Sequence, residues 1–370
     1  MVSKPTGGRV VVLDYLVGDV DEISHLIDDD VFLSECLAGL DPQLEIKTSA
    51  GSAQNVSSKS EVRATALRSL GWLGFSSRIQ QIVQLIAVRM DRDVTDVVFT
   101  VFDEISTLLF MIVHRRKRVH LIFHNNLSLE RKLRQPKLYP MLMRAVVKRA
   151  TSLMLCSEHQ VSLLKEIYPN VQDTKIVHKP HHMIGYSRTR LPLSDRSNRL
   201  LYLGPVSVRK PIEPVIDLIK ADVDGKFRYV MKNMVGITDK QSQFLEGHPN
   251  VDFSTEFLDD DEFYEAIGSA ALLISTHNRL FEGKLSGPIS DAIASGTPVI
   301  ANRMSPHDEM FEEFGDMGYL VDYNDSGWIG RILSADYKSD FGTFEQHMAL
   351  CRENSSMENI REIFRLRFEG

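Results

Sequence analysis

The feature that most constrains this chain is an alternation, sustained over most of its length, of short apolar runs with longer helical patterns. Arg9–Leu13, Leu44–Thr48, Asp96–Val101, Val119–Phe123, Ser152–Cys156 and Lys175–His178 read as strands, and Arg78–Met90, Glu104–His114 and Glu158–Tyr168 as helices. A strand that recurs after a crossover helix pairs in parallel, so the pattern predicts an α/β fold with helices on both faces of a parallel sheet. From Met183 to Asn198 the pattern dissolves into polar residues, MIGYSRTRLPLSDRSN, which reads as a linker. A second series follows, with strands at Leu200–Leu203, Phe227–Met231, Val251–Phe253 and Ala271–Ser275 and helices at Ile212–Ile219 and Asp260–Gly268. The expectation is two Rossmann-like domains facing across a cleft, residues 1–190 and 191–354. A C-terminal amphipathic helix within 355–370 returns to the first domain. A chain of 370 residues is the right length for two such cores.

Composition excludes several classes. The chain is 43% hydrophobic and 25% charged, without a repeat, a low-complexity tract or an apolar run as long as the roughly 18 residues of a membrane span. MVSKPTGGRVVVLDYL lacks the apolar core and cleavage site of a signal peptide. Cys36, Cys156 and Cys351 are odd in number and far apart, which fits neither zinc nor a disulfide framework. A cytoplasmic protein with reduced thiols is expected. His181-His182 has no third ligand at metal spacing, so no metal is expected. Asp28–Asp30 and Asp259–Asp261 read as helix caps. Walker A, G-x-S-x-G and a tight G-x-G-x-x-G after the first strand are all absent, which weighs against a dehydrogenase.

The net charge of −7 hides an asymmetry. Arg115 to Arg149 holds eleven basic residues against Glu130 alone, leaving −17 for the remainder. Leu133, Leu138, Met141, Leu142, Met143, Val146 and Val147 interleave with these cations. A basic stretch with an apolar face suits an anionic membrane surface; the alternative is a solvated face whose apolar residues pack on the sheet.

The second half carries the chemistry. In FEGKLSGPISDAIASGTPVI, Phe281 to Ile300, Ser286 or Gly287 caps a helix begun by Pro288, Gly296 ends it, and Val299–Ala301 is a buried strand. Free N–H groups at that helix start form an anion site. Glu282 stands before it, and Asp291 about one turn into it. Donors for phosphate beside acids for hydroxyls point to a phosphorylated sugar or a nucleotide. YLGPVSVRKP, Tyr202 to Pro211, places Arg209 and Lys210 at the start of another helix, a second phosphate site. Phe123-His124-Asn125-Asn126 lies at the carboxyl end of a first-domain strand, where functional side chains gather.

These two segments resemble the retaining glycosyltransferases of the GT-B fold, glycosyltransferase family 4 in particular, from about Leu200 to Val321. That family shows Gly-Arg, a loop and Lys-Gly, then Glu-Gly-Phe-Gly-x-Pro-x-x-Glu-Ala-x-Ala-x-Gly-x-Pro-Val. The resemblance implies that Lys210 grips a donor diphosphate and Glu282 faces the donor sugar. It further implies that Asp291 holds the ribose, that Ser286 and Gly287 present backbone N–H groups, and that His124 contacts the transferred sugar. Glu282, Lys210 and His124 are then the catalytic candidates; Arg209, Gly204, Ser286, Gly287 and Asp291 are the donor-binding ones. The chain departs from the pattern in three places. Gly-Arg is Gly204-Pro205, with Arg209 as the substitute; eight residues separate the acids in place of seven; and no Gly-rich loop follows the first strand. The expected activity is hexosyl transfer, with retention, from a nucleoside-diphosphate sugar to a glycan, lipid-linked or small-molecule acceptor in polysaccharide or glycoconjugate synthesis. No cofactor and no nucleic-acid partner is expected, and the enzyme would sit peripherally on the inner membrane face. The rival readings are a non-catalytic sugar-nucleotide or polysaccharide-binding protein and a sugar-nucleotide epimerase.

Overall fold

The computed structural model describes residues 9–14, 45–48, 94–99, 102, 104–123, 127, 139–180, 191–192, 196–284 and 286–368. They fall into two compact units, the first ending at Lys179 and regaining the chain from Ile360, the second running from Pro180 to Asn359.

The first unit contains β1 (Arg9–Asp14), β2 (Glu45–Thr48), β3 (Val94–Phe99), α1 (Glu104–Val113), β4 (Arg118–Ile122), α2 (Tyr139–Arg149), β5 (Ser152–Leu155), α3 (Glu158–Ile167) and β6 (Ile176–His178). Its described strands pair in parallel in the order β2-β1-β3-β4-β5-β6. Three adjacent strands are tied by a buried polar chain. His120 on β4 lies 2.8 Å from the Asp96 carboxylate on β3 and 2.7 Å from Ser152 Oγ on β5. Burial opposes the charge on Asp96, but hydrogen bonds from His120, Arg118 and Thr95 outweigh it and hold the carboxyl below its ordinary range. Ser152 is 1% exposed, so this chain of partners locks strands together and is closed to substrates.

On α2, Met143, Val146 and Val147 are fully buried in this unit's core. The apolar residues expected to face a membrane there pack inward instead, although Met141 remains exposed. Arg118 is spent on Asp96, 2.7 Å away. Leu133, Leu138, Asp28–Asp30, Cys36, His181-His182 and the expected Arg78–Met90 helix lie outside the described residues.

The second unit holds β7 (Arg199–Leu203), α4 (Glu213–Ala221), β8 (Arg228–Lys232), α5 (Asp239–Glu246), β9 (Val251–Phe253), α6 (Asp260–Ser269), β10 (Leu272–Ser275), α7 (Gly287–Ala294), β11 (Val299–Asn302), α8 (His307–Phe314), β12 (Gly318–Val321), α9 (Trp328–Ser334) and α10 (Tyr337–Asn354). A final helix, α11 (Met357–Phe368), reaches the first unit, where Arg367 donates to the carbonyls of Thr174 and Ile176.

The sheet order is β9-β8-β7-β10-β11-β12, all parallel. RLLYL and LLIS are buried runs rather than alternating ones, as a sheet covered on both faces requires. The order reverses between β7 and β10. Loops leaving the carboxyl ends of two such strands diverge to opposite faces and open a crevice where ligands bind. Caps follow local chemistry: Asp259 opens α6 with a full capping box, as its sequence predicts.

Candidate active site

The crevice beside β7 and β10 is where YLGPVSVRKP and FEGKLSGPISD meet. After β7 the chain turns at Gly204, whose φ of +92° excludes other residues, and whose N–H donates to the Lys232 carbonyl. The loop then folds into a tight turn in which Ser207 and Lys210 exchange backbone hydrogen bonds of 3.1 and 3.0 Å. Lys210 therefore does not stand at the start of α4, which begins at Glu213; the turn sends its side chain back to the strand end. There its ammonium donates to the Leu203 carbonyl and lies 4.7 Å from the centre of the Tyr202 ring. Lys210 is 7% exposed, and burial pushes its pKa down to about 8.

The β10 loop is sewn to this turn. The Asn278 N–H donates to the Arg209 carbonyl at 2.9 Å, and its side-chain amide to the Val208 carbonyl at 2.6 Å. Asn278 also caps the single 3-10 turn Arg279–Phe281. His277 stacks on Phe281 at 3.8 Å and shares a hydrogen bond with Ser275 Oγ. Its imidazole is held well below its ordinary pKa, first by burial and then by the charges of Lys210, His307, Arg209 and Lys284. His307, at the start of α8, donates from Nδ1 to the Asn302 carbonyl, so the neutral ring presents a lone pair at Nε2, which is buried without a partner. Burial pushes His307 down to about 4.

The second loop ends at the first turn of α7. Ser286 is the N-cap residue, yet its side chain caps nothing: Oγ is buried and has no hydrogen-bond partner. The expected cap fails for a local reason. Pro288 occupies the second helical position and has no N–H, which removes one of the two amides a cap side chain reaches. A Cβ at Gly287 would meet nothing within 4 Å, so the space beside the helix start is open. Glu282 is half-buried, and its charge adds to those of Glu312 and Glu309 in raising the pKa of Asp308, after burial, the larger cause. Asp291 is buried, one turn into α7.

Gly204, Arg209 and Lys210 lie on the loop after β7, Glu282 on the loop after β10, and Ser286, Gly287 and Asp291 at the start of α7, all within one unit. His124 lies outside the described residues. Sequence reasoning missed His277, His307 and Lys284. The one available signal was the lysine at the fourth position of FEGK, where the family motif has an aromatic residue.

No family model and no curated protein matches the chain. Solved structures do match over almost its whole length. One is HepE from Anabaena in complex with UDP-glucose (TM-score 0.62, 11% identity, 96% of this chain and 98% of that one). Another is a UDP-forming α,α-trehalose-phosphate synthase from Burkholderia xenovorans (TM-score 0.67, 10% identity, 98% and 99%). A third is the lipopolysaccharide outer core galactosyltransferase WaaB in its apo form (TM-score 0.60, 13% identity, 97% and 99%). The fold is GT-B. At these identities the likeness extends to the fold, and membership of glycosyltransferase family 4 does not follow from it.

Proposed function

We propose that the protein is a glycosyltransferase that takes a sugar from a nucleoside-diphosphate sugar. The observation that carries this reading is the crevice at the reversal of sheet order. Two buried lysines, Lys210 and Lys284, converge there on one neutral imidazole, beside a helix start whose cap hydroxyl has no protein partner. Such a site favours an anion, because burial disfavours the Lys210 ammonium and an arriving opposite charge restores it. The UDP-glucose bound to HepE and the UDP-forming reaction of the Burkholderia enzyme support a uridine nucleotide as the donor carrier.

In this reading Lys210 and the α7 amides hold the diphosphate, with Arg209 at the edge of the loop and Gly204 giving the turn its shape. Glu282 faces the donor sugar, Asp291 the ribose and His124 the transferred sugar. Transfer proceeds with retention by displacement on one face, and the departing diphosphate oxygen accepts the acceptor's proton. Negative charge grows on that oxygen as the glycosidic bond breaks. Lys210 and the α7 dipole stabilise it more in the transition state than in the ground state, the property a catalytic group needs. The acceptor is a glycan or a lipid-linked sugar in polysaccharide or glycoconjugate synthesis, met at the cytoplasmic membrane face.

Incubation with UDP-, GDP- and ADP-hexoses, with released nucleotide followed by chromatography, tests the reading. Release of a nucleoside diphosphate from one of them, accelerated by a glycan acceptor, is the expected result. Tight binding without release would make the chain a binding protein, and a changed sugar without an acceptor would make it an epimerase.

A further inference from the structure

Parallel sheets of this kind carry helices on both faces. Over β7 and β8 the cover is incomplete: a cavity of about 240 Å³ lies between the sheet and α6. Leu201 and Val230 form its floor, and Ala266 and Ser269 of α6 its wall. Toward the carboxyl ends of the strands it is lined by the Lys232–Asp252 ion pair, 2.7 Å across. At the opposite end stand Arg199 and Arg228, the first residues of β7 and β8. The two are register partners. Neighbouring strands lie about 4.8 Å apart, so two guanidinium groups rise from adjacent positions on one face and repel. Neither forms an ion pair among the described residues; Arg199 donates to Ser269 Oγ at 3.4 Å. The acids that share the cavity do not neutralise them. Asp252 is taken by Lys232, Glu262 accepts the Asp259 N–H in the α6 capping box, and Glu265 forms no ion pair among the described residues.

We propose that this cavity is a second ligand site, one that takes the phosphate monoester of a sugar. Two arginines on adjacent strands suit a phosphate monoester better than a carboxylate. The monoester carries about two negative charges and has terminal oxygens enough for both guanidinium forks. A carboxylate has a single charge, and one fork satisfies both of its oxygens. Beyond the arginines the floor is apolar, which suits the C–H face of a sugar ring, and the wall offers Ser269 Oγ and the Glu265 carboxylate to its hydroxyls. Of the residues assigned to the donor crevice, none lines this cavity, so the inference stands apart from the donor reading.

The test is calorimetry of the full chain with the 1- and 6-phosphates of glucose, galactose, mannose and N-acetylglucosamine, with glucose and with inorganic phosphate. The variants are Arg199→Gln, Arg228→Gln, both together, Ala266→Leu and Lys210→Met. Both arginines are exposed, so their replacement leaves the core intact, and thermal unfolding verifies this. Loss of one charge-assisted contact lowers affinity by about 10-fold or more. The expected result is binding of at least one sugar phosphate by the wild type, a loss of that size in each single arginine variant and no binding in the double one. Glucose should not bind, and inorganic phosphate should bind more weakly than the sugar phosphate. Ala266→Leu fills the space of the sugar and should weaken the sugar phosphate while leaving inorganic phosphate within a few-fold. Lys210→Met should leave both within a few-fold. Binding unchanged in the double arginine variant, or lost in Lys210→Met alone, would place the phosphate elsewhere and overturn the site. Inorganic phosphate bound as tightly as every sugar phosphate, or a sugar phosphate indifferent to Ala266→Leu, would overturn the sugar. No sugar phosphate bound by the wild type at millimolar concentration would overturn the proposal outright and leave the donor reading untouched.

Discussion

Binding of a nucleoside diphosphate at mildly alkaline pH should draw a proton onto the protein, and Lys210 is the group that takes it. The empty site holds this lysine near 8, down from its ordinary 10.5, because burial disfavours the ammonium. The depression corresponds to roughly 3 kcal/mol against the charged form. A diphosphate beside it reverses the balance, since an adjacent opposite charge favours ionisation. At pH 8.5 a lysine with a pKa of about 8 is about one quarter protonated, and one returned to about 10 is almost fully protonated, so binding takes up about 0.7 proton. Calorimetry at pH 8.5 in buffers of different ionisation enthalpy reads that number as a slope. At pH 6.5 the lysine is already charged in the empty site, and its share of the uptake vanishes. Lys210→Met should abolish the uptake at pH 8.5 and weaken binding by at least 10-fold. Uptake near zero in the wild type, or uptake unchanged in the variant, would refute the placement of the diphosphate on Lys210.

The same shift sets a stability window. The folded pKa lies below the unfolded one, so between about 8 and 10.5 the unfolded chain binds more protons and stability of the empty protein rises with pH. Below about 8 the full penalty applies. Replacing the lysine with Met removes that penalty. It also loses the Leu203 hydrogen bond and the Tyr202 ring contact, which offset part of the gain. The empty variant should therefore gain on the order of 1–2 kcal/mol at pH 7. Denaturant unfolding at pH 7 and pH 10 checks both the gain and its disappearance at the higher pH.

Three further outcomes are expected. Glu282→Gln should impair transfer while leaving binding of the bare nucleoside diphosphate within a few-fold, whereas Asp291→Asn should weaken that binding itself; calorimetry beside turnover separates them, and equal binding losses would remove the sugar and ribose assignments. Gly287→Ala meets no protein atom and should match or exceed the wild type in thermal stability by up to about 1 kcal/mol, yet lose diphosphate affinity, because the methyl enters space meant for a phosphate; unchanged affinity would show that space to be plain solvent. Sedimentation with anionic vesicles should fall with salt and weaken further when the exposed Lys148 and Arg149 are replaced by Gln, and indifference to anionic vesicles at low salt would assign the basic residues to solvation alone.

Much of the fold was legible because parallel strands covered on both faces announce themselves as apolar runs. RLLYL, RYVMK, VDF and LLIS fall within a residue or so of where periodicity puts them. The long helix α10 was not legible. Its buried residues, Tyr337, Phe341, Phe344, Met348 and Cys351, recur at helical spacing but are diluted by polar neighbours in YKSDFGTFEQHMALCREN. The α7 segment was readable because Pro288, Gly296 and the acids act locally. What could not be read is burial. A lysine in a loop looks solvated until its loop is pinned on both sides, as Lys284 is by Gly283 and Phe281. Lys210 misled for the opposite reason. Its spacing from the helix suggested a terminus, but the Ser207 turn, set by backbone hydrogen bonds, redirects it to the end of β7.

A crystal structure with UDP, and in parallel with GDP, tests the central claim most directly. The account predicts the diphosphate beyond the carboxyl ends of β7 and β10, with Lys210 on its oxygens, Ser286 Oγ and the Gly287 amide at the start of α7, and Asp291 on the ribose. A nucleotide bound elsewhere on the chain, or a crevice that stays closed around its lysines at saturating nucleotide, would contradict it.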